Sequence, residues 1–172
     1  MRHILVCAST LAATALLASS SPAAAQQWQG DLHGNYARGT QSHANSWGAG
    51  AQVQATWGGS SAPVKVGTSG GVDYTKQEKS GPSQTSLGLD VTLQPGGNGS
   101  VIPYAGGSVS SNWSGGDAKQ WTGAKTGLET LAGVQIKSAA LGSLSWKAEE
   151  RFGYVRGQEH TLSTRVGVVM SF

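Results

Sequence analysis

The sequence predicts an all-β chain folded as an eight-stranded antiparallel up-and-down transmembrane β-barrel. Three observations carry that prediction. Apolar residues recur with period two along almost all of residues 26–172, the alternating segments number eight, and aromatic residues gather at the ends of their apolar faces.

The barrel domain begins after a targeting segment. Arg2 and His3 form a short basic start, Ile4 to Leu17 is apolar and rich in Ala and Leu, and Ala23-Ala24-Ala25 offers small residues before Gln26. This pattern reads as a secretory signal peptide over residues 1–25, cleaved to leave a barrel domain of residues 26–172. The apolar run is too short for a spanning helix, which needs roughly 20 residues. Cys7, the only cysteine, precedes most of that run and so is badly placed for lipoprotein acylation. Cleavage would leave no thiol for a disulfide or a thiolate metal site.

The 26 glycines would sit poorly in helices, where each costs about 1 kcal/mol relative to alanine, and periodicity places them in strands instead. Eight segments emerge: 28–38, 46–57, 63–75, 84–94, 100–112, 123–137, 142–155 and 160–172. In the second, Trp47, Ala49, Ala51, Val53, Ala55 and Trp57 share one parity, opposed by Gly48, Gly50, Gln52, Gln54 and Thr56. In the third, Val64, Val66, Val72 and Tyr74 oppose Lys65, Gly67, Ser69, Gly71 and Asp73; in the fourth, Leu87, Leu89, Val91 and Leu93 oppose Gly88, Asp90, Thr92 and Gln94. The sixth sets Leu128, Thr130, Ala132, Val134 and Ile136 against Lys125, Gly127, Glu129, Gly133 and Gln135, with Leu131 as an apolar exception. The last sets Leu162, Val166, Val168, Met170 and Phe172 against Ser163, Arg165, Gly167 and Ser171, with Val169 as the exception.

The connections alternate in kind. Thr40 to Asn45, Lys76 to Ser83, Trp113 to Thr122 and Arg156 to Glu159 are polar and mostly longer, whereas the others are short or glycine-rich, as at the two rims of a bacterial barrel. Lipid offers a sheet no hydrogen-bond partner, so only a closed sheet crosses it. Trp28, Tyr36, Trp47, Trp57, Tyr74, Trp146, Phe152, Tyr154 and Phe172 lie mostly near segment ends, where aromatic girdles belong. A secreted soluble β-sandwich would alternate similarly, with the polar parity in water; strand length and the girdles favour the barrel.

The polar parity collects Asp31, His33, Lys65, Asp73, Asp90, Lys125, Glu129, Lys147, Glu149, Arg151 and Arg165. Charges inside a narrow barrel must pair, so we expect a lumenal ion network of Lys147, Glu149, Arg151 and Arg165 with Glu129 opposite, structural in role. Rearrangement of that network to pass small ions is the alternative, a narrow pore. Catalysis has little support. His33 has lumenal parity, His43 lies in a polar loop, and His160 and Ser163 have opposite parities, which separates them as an acyl-transfer pair. No catalytic, cofactor-binding or metal-ligating set is expected. Without Arg2, basic residues exceed acidic ones by two and occur singly, so nucleic acid is not an expected partner. In the polar loops, Trp113 and Trp121 are the candidate contacts for a surface ligand, or anchors to lipid headgroups.

The second half resembles the small outer-membrane β-barrel family that includes OmpX-like, opacity-type and OmpA-barrel proteins. Pro103-Tyr104-Ala105-Gly106-Gly107-Ser108-Val109 is similar to the family's Pro-Tyr strand with alternating glycines, and Leu144 to Phe152 resembles its Leu-Ser-Leu-Arg-Ala-Glu-Tyr-Arg-Tyr strand. His160 to Phe172 resembles its closing strand. The resemblance implies a monomer in the bacterial outer membrane with lipid around it, and a structural or adhesin-like role; lipid-modifying enzymes of this size also exist. It further implies that Phe172 belongs to the signal read by the barrel assembly machinery. Glu150 departs from the pattern, standing where the family has an aromatic residue, on the lipid parity of Leu144, Trp146 and Phe152. A rim position or a bulge turning it inward is expected.

Overall fold

The computed structural model describes residues 27–59, 61–78, 82–97, 99–115 and 124–172. The proposed signal peptide lies outside them. Eight strands follow in order: β1 (Gln27–Gly39), β2 (Asn45–Trp57), β3 (Val64–Gln77), β4 (Ser83–Pro95), β5 (Val101–Ser114), β6 (Lys125–Lys137), β7 (Leu144–Val155) and β8 (His160–Ser171). Each pairs antiparallel with its sequence neighbours, and β8 returns to β1, closing the barrel. All boundaries fall within two residues of the periodicity. β3 runs two residues beyond its expected end and shortens the loop that follows. The end of β5 and the start of β6 both shift by two and leave their connection the same length, and β7 starts two residues late at the other rim.

The strands are strongly inclined. Register from Gln29 passes through Gln54, Ser69, Asp90, Ser108, Glu129 and Gly153 to Thr161 on β8, ten residues before Ser171, which pairs with Gln29 directly. Strands of 12 to 14 residues are long enough to cross hydrocarbon at such a tilt, which takes about 9 to 11. The termini share a rim with the connections at 58–63, 96–100 and 138–143. A short 3-10 turn, Ala139–Leu141, lies in the last of these. Gly97 (φ 107°) and Gly157 (φ 77°) occupy left-handed backbone in turns at opposite rims, where a Cβ would be strained.

The barrel is apolar outside and polar inside. Leu32 and Leu128 are 69% and 61% exposed, whereas Glu149 and Arg151 are 3% and 2% exposed. This inverts the arrangement of a water-soluble protein, in which large exposed apolar surfaces are rare. The outward aromatics form two bands: Trp28, Trp57, Trp146 and Phe172 toward the terminal rim, and Tyr36, Trp47, Tyr74 and Tyr154 toward the other. The parity exceptions Leu131 and Val169 are buried in the lumen.

Lumenal glycines make room for long polar side chains. A Cβ on Gly50 would lie 2.5 Å from both Asp73 Oδ1 and His33 Nε2, and one on Gly133 would lie 2.5 Å from Tyr104 Oη. Tyr104 is the register partner of Gly133, so the ring occupies space that any other residue would fill. Eight strands enclose an interior that side chains can fill, and here they do.

Candidate functional site

The site is the ion network across the middle of the lumen. Strict alternation on β7 turns Ser145, Lys147, Glu149 and Arg151 inward together. Arg151 is the hub. Its Nη2 lies 2.6 Å from Asp90 Oδ2, its Nη1 3.1 Å from Glu129 Oε2, and its Nε 2.5 Å from Glu149 Oε1. Lys147 Nζ approaches Asp31 Oδ2 at 3.1 Å and Glu149 Oε2 at 3.5 Å, and donates to Gln52 Oε1 at 3.2 Å. Arg165 Nη2 meets Asp73 Oδ2 at 2.7 Å, and its Nη1 lies 3.9 Å from Glu149 Oε1.

All five residues singled out for the network thus share one cluster. Parity puts further residues on the inward face without assigning them to this cluster. Asp31, His33, Asp73 and Asp90 belong to it, and so do the uncharged Gln52 and Tyr104. Gln52 donates to Asp90 Oδ2 at 2.6 Å while accepting from Lys147, and Tyr104 Oη donates to Glu149 Oε2 at 3.0 Å. Tyr104 shares even parity with Gly106, Ser108 and Ser110, the signal that could have placed it inside.

His33 joins two carboxylates. Nδ1 lies 2.9 Å from Asp31 Oδ1 and Nε2 lies 2.9 Å from Asp73 Oδ1. Each nitrogen can donate only if the ring is an imidazolium, which adds a fourth cation against the five carboxylates. A cavity of about 40 Å³ beside Arg151, Arg165, Asp90 and Ser108 has room for a few waters. Every charged group described in this cluster has a charged partner, as burial of ions requires.

The rim opposite the termini carries a second arrangement. Glu159 accepts from the Ser42 hydroxyl, from Gln41 N–H at 2.6 Å and from Ser42 N–H at 2.7 Å. These donors, Ser42 Oγ first, hold its carboxyl below the ordinary glutamate range. Glu78 accepts from Trp47 Nε1 at 2.7 Å and Asn45 Nδ2 at 3.3 Å, and Tyr36 Oη donates to Asn45 Oδ1 at 2.9 Å. Glu159 thereby ties the β7–β8 connection to the β1–β2 loop, and Glu78 ties the β3–β4 connection to the start of β2.

Other singled-out residues are placed as follows. Trp113 lies on β5 near its end, not in a loop, in register with Thr85. Trp121 falls outside the described residues. Phe172 is 74% exposed, and its N–H donates to Trp28 O at 3.0 Å. His160 points outward and stacks on Phe152 with ring centroids 5.4 Å apart, while Ser163 has the lumenal parity of Arg165. Among the described residues no group of three or more His, Cys, Asp and Glu could hold a metal ion.

Glu150 is neither at a rim nor at a bulge. It pairs in unbroken register with Ala132 and Thr164, faces outward, and stands midway along β7. The strict inward–outward alternation of β7 leaves no extra residue to turn it inward. Thr164 Oγ1 donates to its Oε1 at 2.7 Å, giving the carboxyl one local partner.

No protein-family model matches the sequence, and no curated protein matches it. Solved structures share its fold. The chain is similar to neisserial surface protein A, with TM-score 0.59 and 18% identity over 88% of this chain and 100% of that one. It is similar to Ail, the attachment invasion locus protein of Yersinia pestis, with TM-score 0.53 and 12% identity over 86% and 97%. It is also similar to the outer membrane enzyme PagL, with TM-score 0.50 and 14% identity over 81% and 98%. The fold is that of the small eight-stranded outer-membrane barrels.

Proposed function

We propose that this chain is an outer-membrane β-barrel of a bacterial envelope with a structural or surface-interaction role, adhesin-like in kind, carried by the loops opposite the termini. One observation carries the reading: the barrel is apolar on the outside and ion-paired on the inside. Such a surface is stable against lipid and unstable in water. Membrane lipid is therefore its medium, and the barrel assembly machinery, reading Phe172, its partner during biogenesis. One chain closes the barrel, so folding requires no second copy.

The lumenal network serves as a structural plug in this reading. Arg151 and Asp90 join across the lumen at mid-height, and the space beside them is about 40 Å³. A pore for hydrated ions would need that tie to open. Catalysis is not part of the proposal, because His160 stacks on Phe152 outside the barrel while Ser163 has inward parity. The loops remain as the partner-facing surface, with Glu159 and Glu78 holding them in shape.

Expression with the leader, isolation of outer membranes and gel electrophoresis with and without boiling test the reading. A membrane-fraction protein that runs faster unboiled is expected. A soluble periplasmic protein with unchanged mobility would refute it and favour the sandwich.

A further inference from the structure

The lumen changes character toward the loop rim. At mid-height Lys147, Arg151 and Arg165 meet carboxylates. At the rim the inward parity brings neutral groups instead: Ser46 on β2, Thr75 and Gln77 on β3, Gln84 on β4 and Thr161 on β8. Gln77 is in register with Ser46, and Thr75 with Gln84, so these four side chains stand together. With Thr161 and Glu159 they line a cavity of about 240 Å³ at the mouth of the barrel.

The hydrogen-bonding capacity of this cup is largely unused. Among the described residues, the Ser46, Thr75 and Thr161 hydroxyls and the Gln77 side-chain amide make no hydrogen bond. Gln84 donates to Asn112 at 2.8 Å and to Ser86 at 3.4 Å, which leaves its Oε1 unpaired among those residues. Each hydroxyl can both donate and accept, and an amide does so through separate atoms. Among the described residues, Glu159 is the one charged group in the lining, and its oxygens already accept from Ser42 and Gln41.

We infer that this cup binds an uncharged sugar ring, free or at the end of a glycan. The inference deepens the surface-interaction reading above and rests on it. A pyranose carries hydroxyls around its edge, each a donor and an acceptor, and so matches groups of the same kind set on four strands. Pockets for drug-sized ligands measure about 300–1,000 Å³, and this smaller one has room for a single ring. A phosphorylated or sulfated sugar would meet the Glu159 carboxylate with no lining cation to offset it. A peptide would need a free sheet edge, which the closed barrel lacks, or a pocket of large apolar side chains, which this lining does not supply. The cup is also preorganised, since its groups stand on paired strand ends and Glu159 fixes the adjoining loop.

Nuclear magnetic resonance of the full chain in phosphatidylcholine nanodiscs tests this, with methyl glucoside, methyl galactoside and methyl mannoside as probes. At least one should shift the Gln77 and Gln84 side-chain amides and the Thr75 and Thr161 backbone amides together and saturably, while Gln54, toward the opposite rim, stays unmoved. Thr75→Val and Gln77→Ala should each weaken the Kd about threefold to tenfold, the loss of one hydrogen bond. The phosphorylated form of the bound sugar should bind about tenfold more weakly or worse. A trisaccharide ending in the same hexose separates the two sources: equal binding marks a glycan end, and exclusion marks a free sugar. No saturable shift with any of the three, equal shifts at Gln54, binding unchanged in both variants, or a phosphorylated sugar bound as tightly would overturn the inference. Each sample is also run unboiled. A closed, inserted barrel that binds none of the probes refutes this inference alone, and a chain that never inserts refutes the membrane reading as well.

Discussion

Arg151 and Asp90 form a bidentate pair across the lumen, Nη2 to Oδ2 at 2.6 Å and Nη1 to Oδ1 at 3.2 Å. The two residues sit on β7 and β4, which share no ladder, so the pair ties opposite walls of the barrel. Both side chains are almost wholly buried. A planar guanidinium matched to a carboxylate is the strong form of such a bond, and its geometry fixes the distance between the walls.

Removing the hub should therefore cost more than a surface ion pair. Arg151→Met leaves Asp90, Glu129 and Glu149 without their shared cation, and breaking a buried pair from one side typically costs about 3–5 kcal/mol. Urea unfolding in detergent micelles, followed by tryptophan fluorescence, measures the loss. Arg151→Met with Asp90→Asn should recover part of it. A single variant within about 1 kcal/mol of the parent would show that the network does not hold the barrel, as exposed pairs often do not.

The same network decides conductance. With Arg151 joined to Asp90 at mid-height, the parent protein is expected to give no steady current in planar bilayers. Arg165→Ala removes a cation from the cavity lining and leaves Asp73 with His33 and Asn35, so a small cation-preferring leak is expected. A steady parent current abolished by Arg165→Ala or Glu129→Ala would instead establish the pore reading.

Parity was sufficient to read most of this architecture. It put Lys147, Glu149 and Arg151 on one face because a strand repeats every two residues, and it marked Leu131 and Val169 as exceptions, which the structure places in the lumen. It could not pair β7 with β4, since side chains that meet across a lumen leave no trace in sequence spacing. Tyr104 went unplaced because an aromatic residue carries no inward or outward label of its own; its parity with Gly106, Ser108 and Ser110 points inward, and its position opposite Gly133 explains how the ring fits there. Glu150 misled for a related reason. Hydropathy argued for a rim position or a bulge, but Glu150 stands midway along β7 in a regular ladder from Ala132 to Thr164, and the backbone did not yield to one costly side chain.

Tyr104 and Gly133 provide a direct test of that packing. Gly133→Ala places a methyl group 2.5 Å from the Tyr104 hydroxyl, which must move and give up Glu149. Overpacking of this kind costs about 1–3 kcal/mol. In a Tyr104→Ala background the same substitution should cost less but not nothing, because the methyl group still lies 2.6 Å from the Ala148 carbonyl oxygen. Equal costs in the two backgrounds would show that the ring does not fill the space above the glycine.

Phe172 separates assembly from stability. Its ring is largely exposed, and the backbone N–H to Trp28 O is a bond that any residue would make. Phe172→Ala is therefore expected to unfold within about 0.5 kcal/mol of the parent once refolded in detergent, as most exposed substitutions do. Its yield in the outer membrane of living cells should nonetheless fall several-fold. Equal yields would remove Phe172 from the assembly signal.

The Glu159 clamp should be pH-sensitive at one rim only. The Ser42 hydroxyl and the N–H groups of Ser42 and Gln41 donate to the ionised carboxyl, so its folded pKa lies below the ordinary value of 4.5. A lowered pKa means that the clamp's contribution is fully present above about pH 4.5 and is lost as pH falls through the lower folded value. Amide proton shifts of Gln41 and Ser42 in micelles should titrate together at an apparent pKa under 4.5. Glu159→Gln should flatten both curves while leaving the barrel strands unchanged. Titration at or above 4.5, or two amides moving independently, would show that the carboxylate does not fasten this loop.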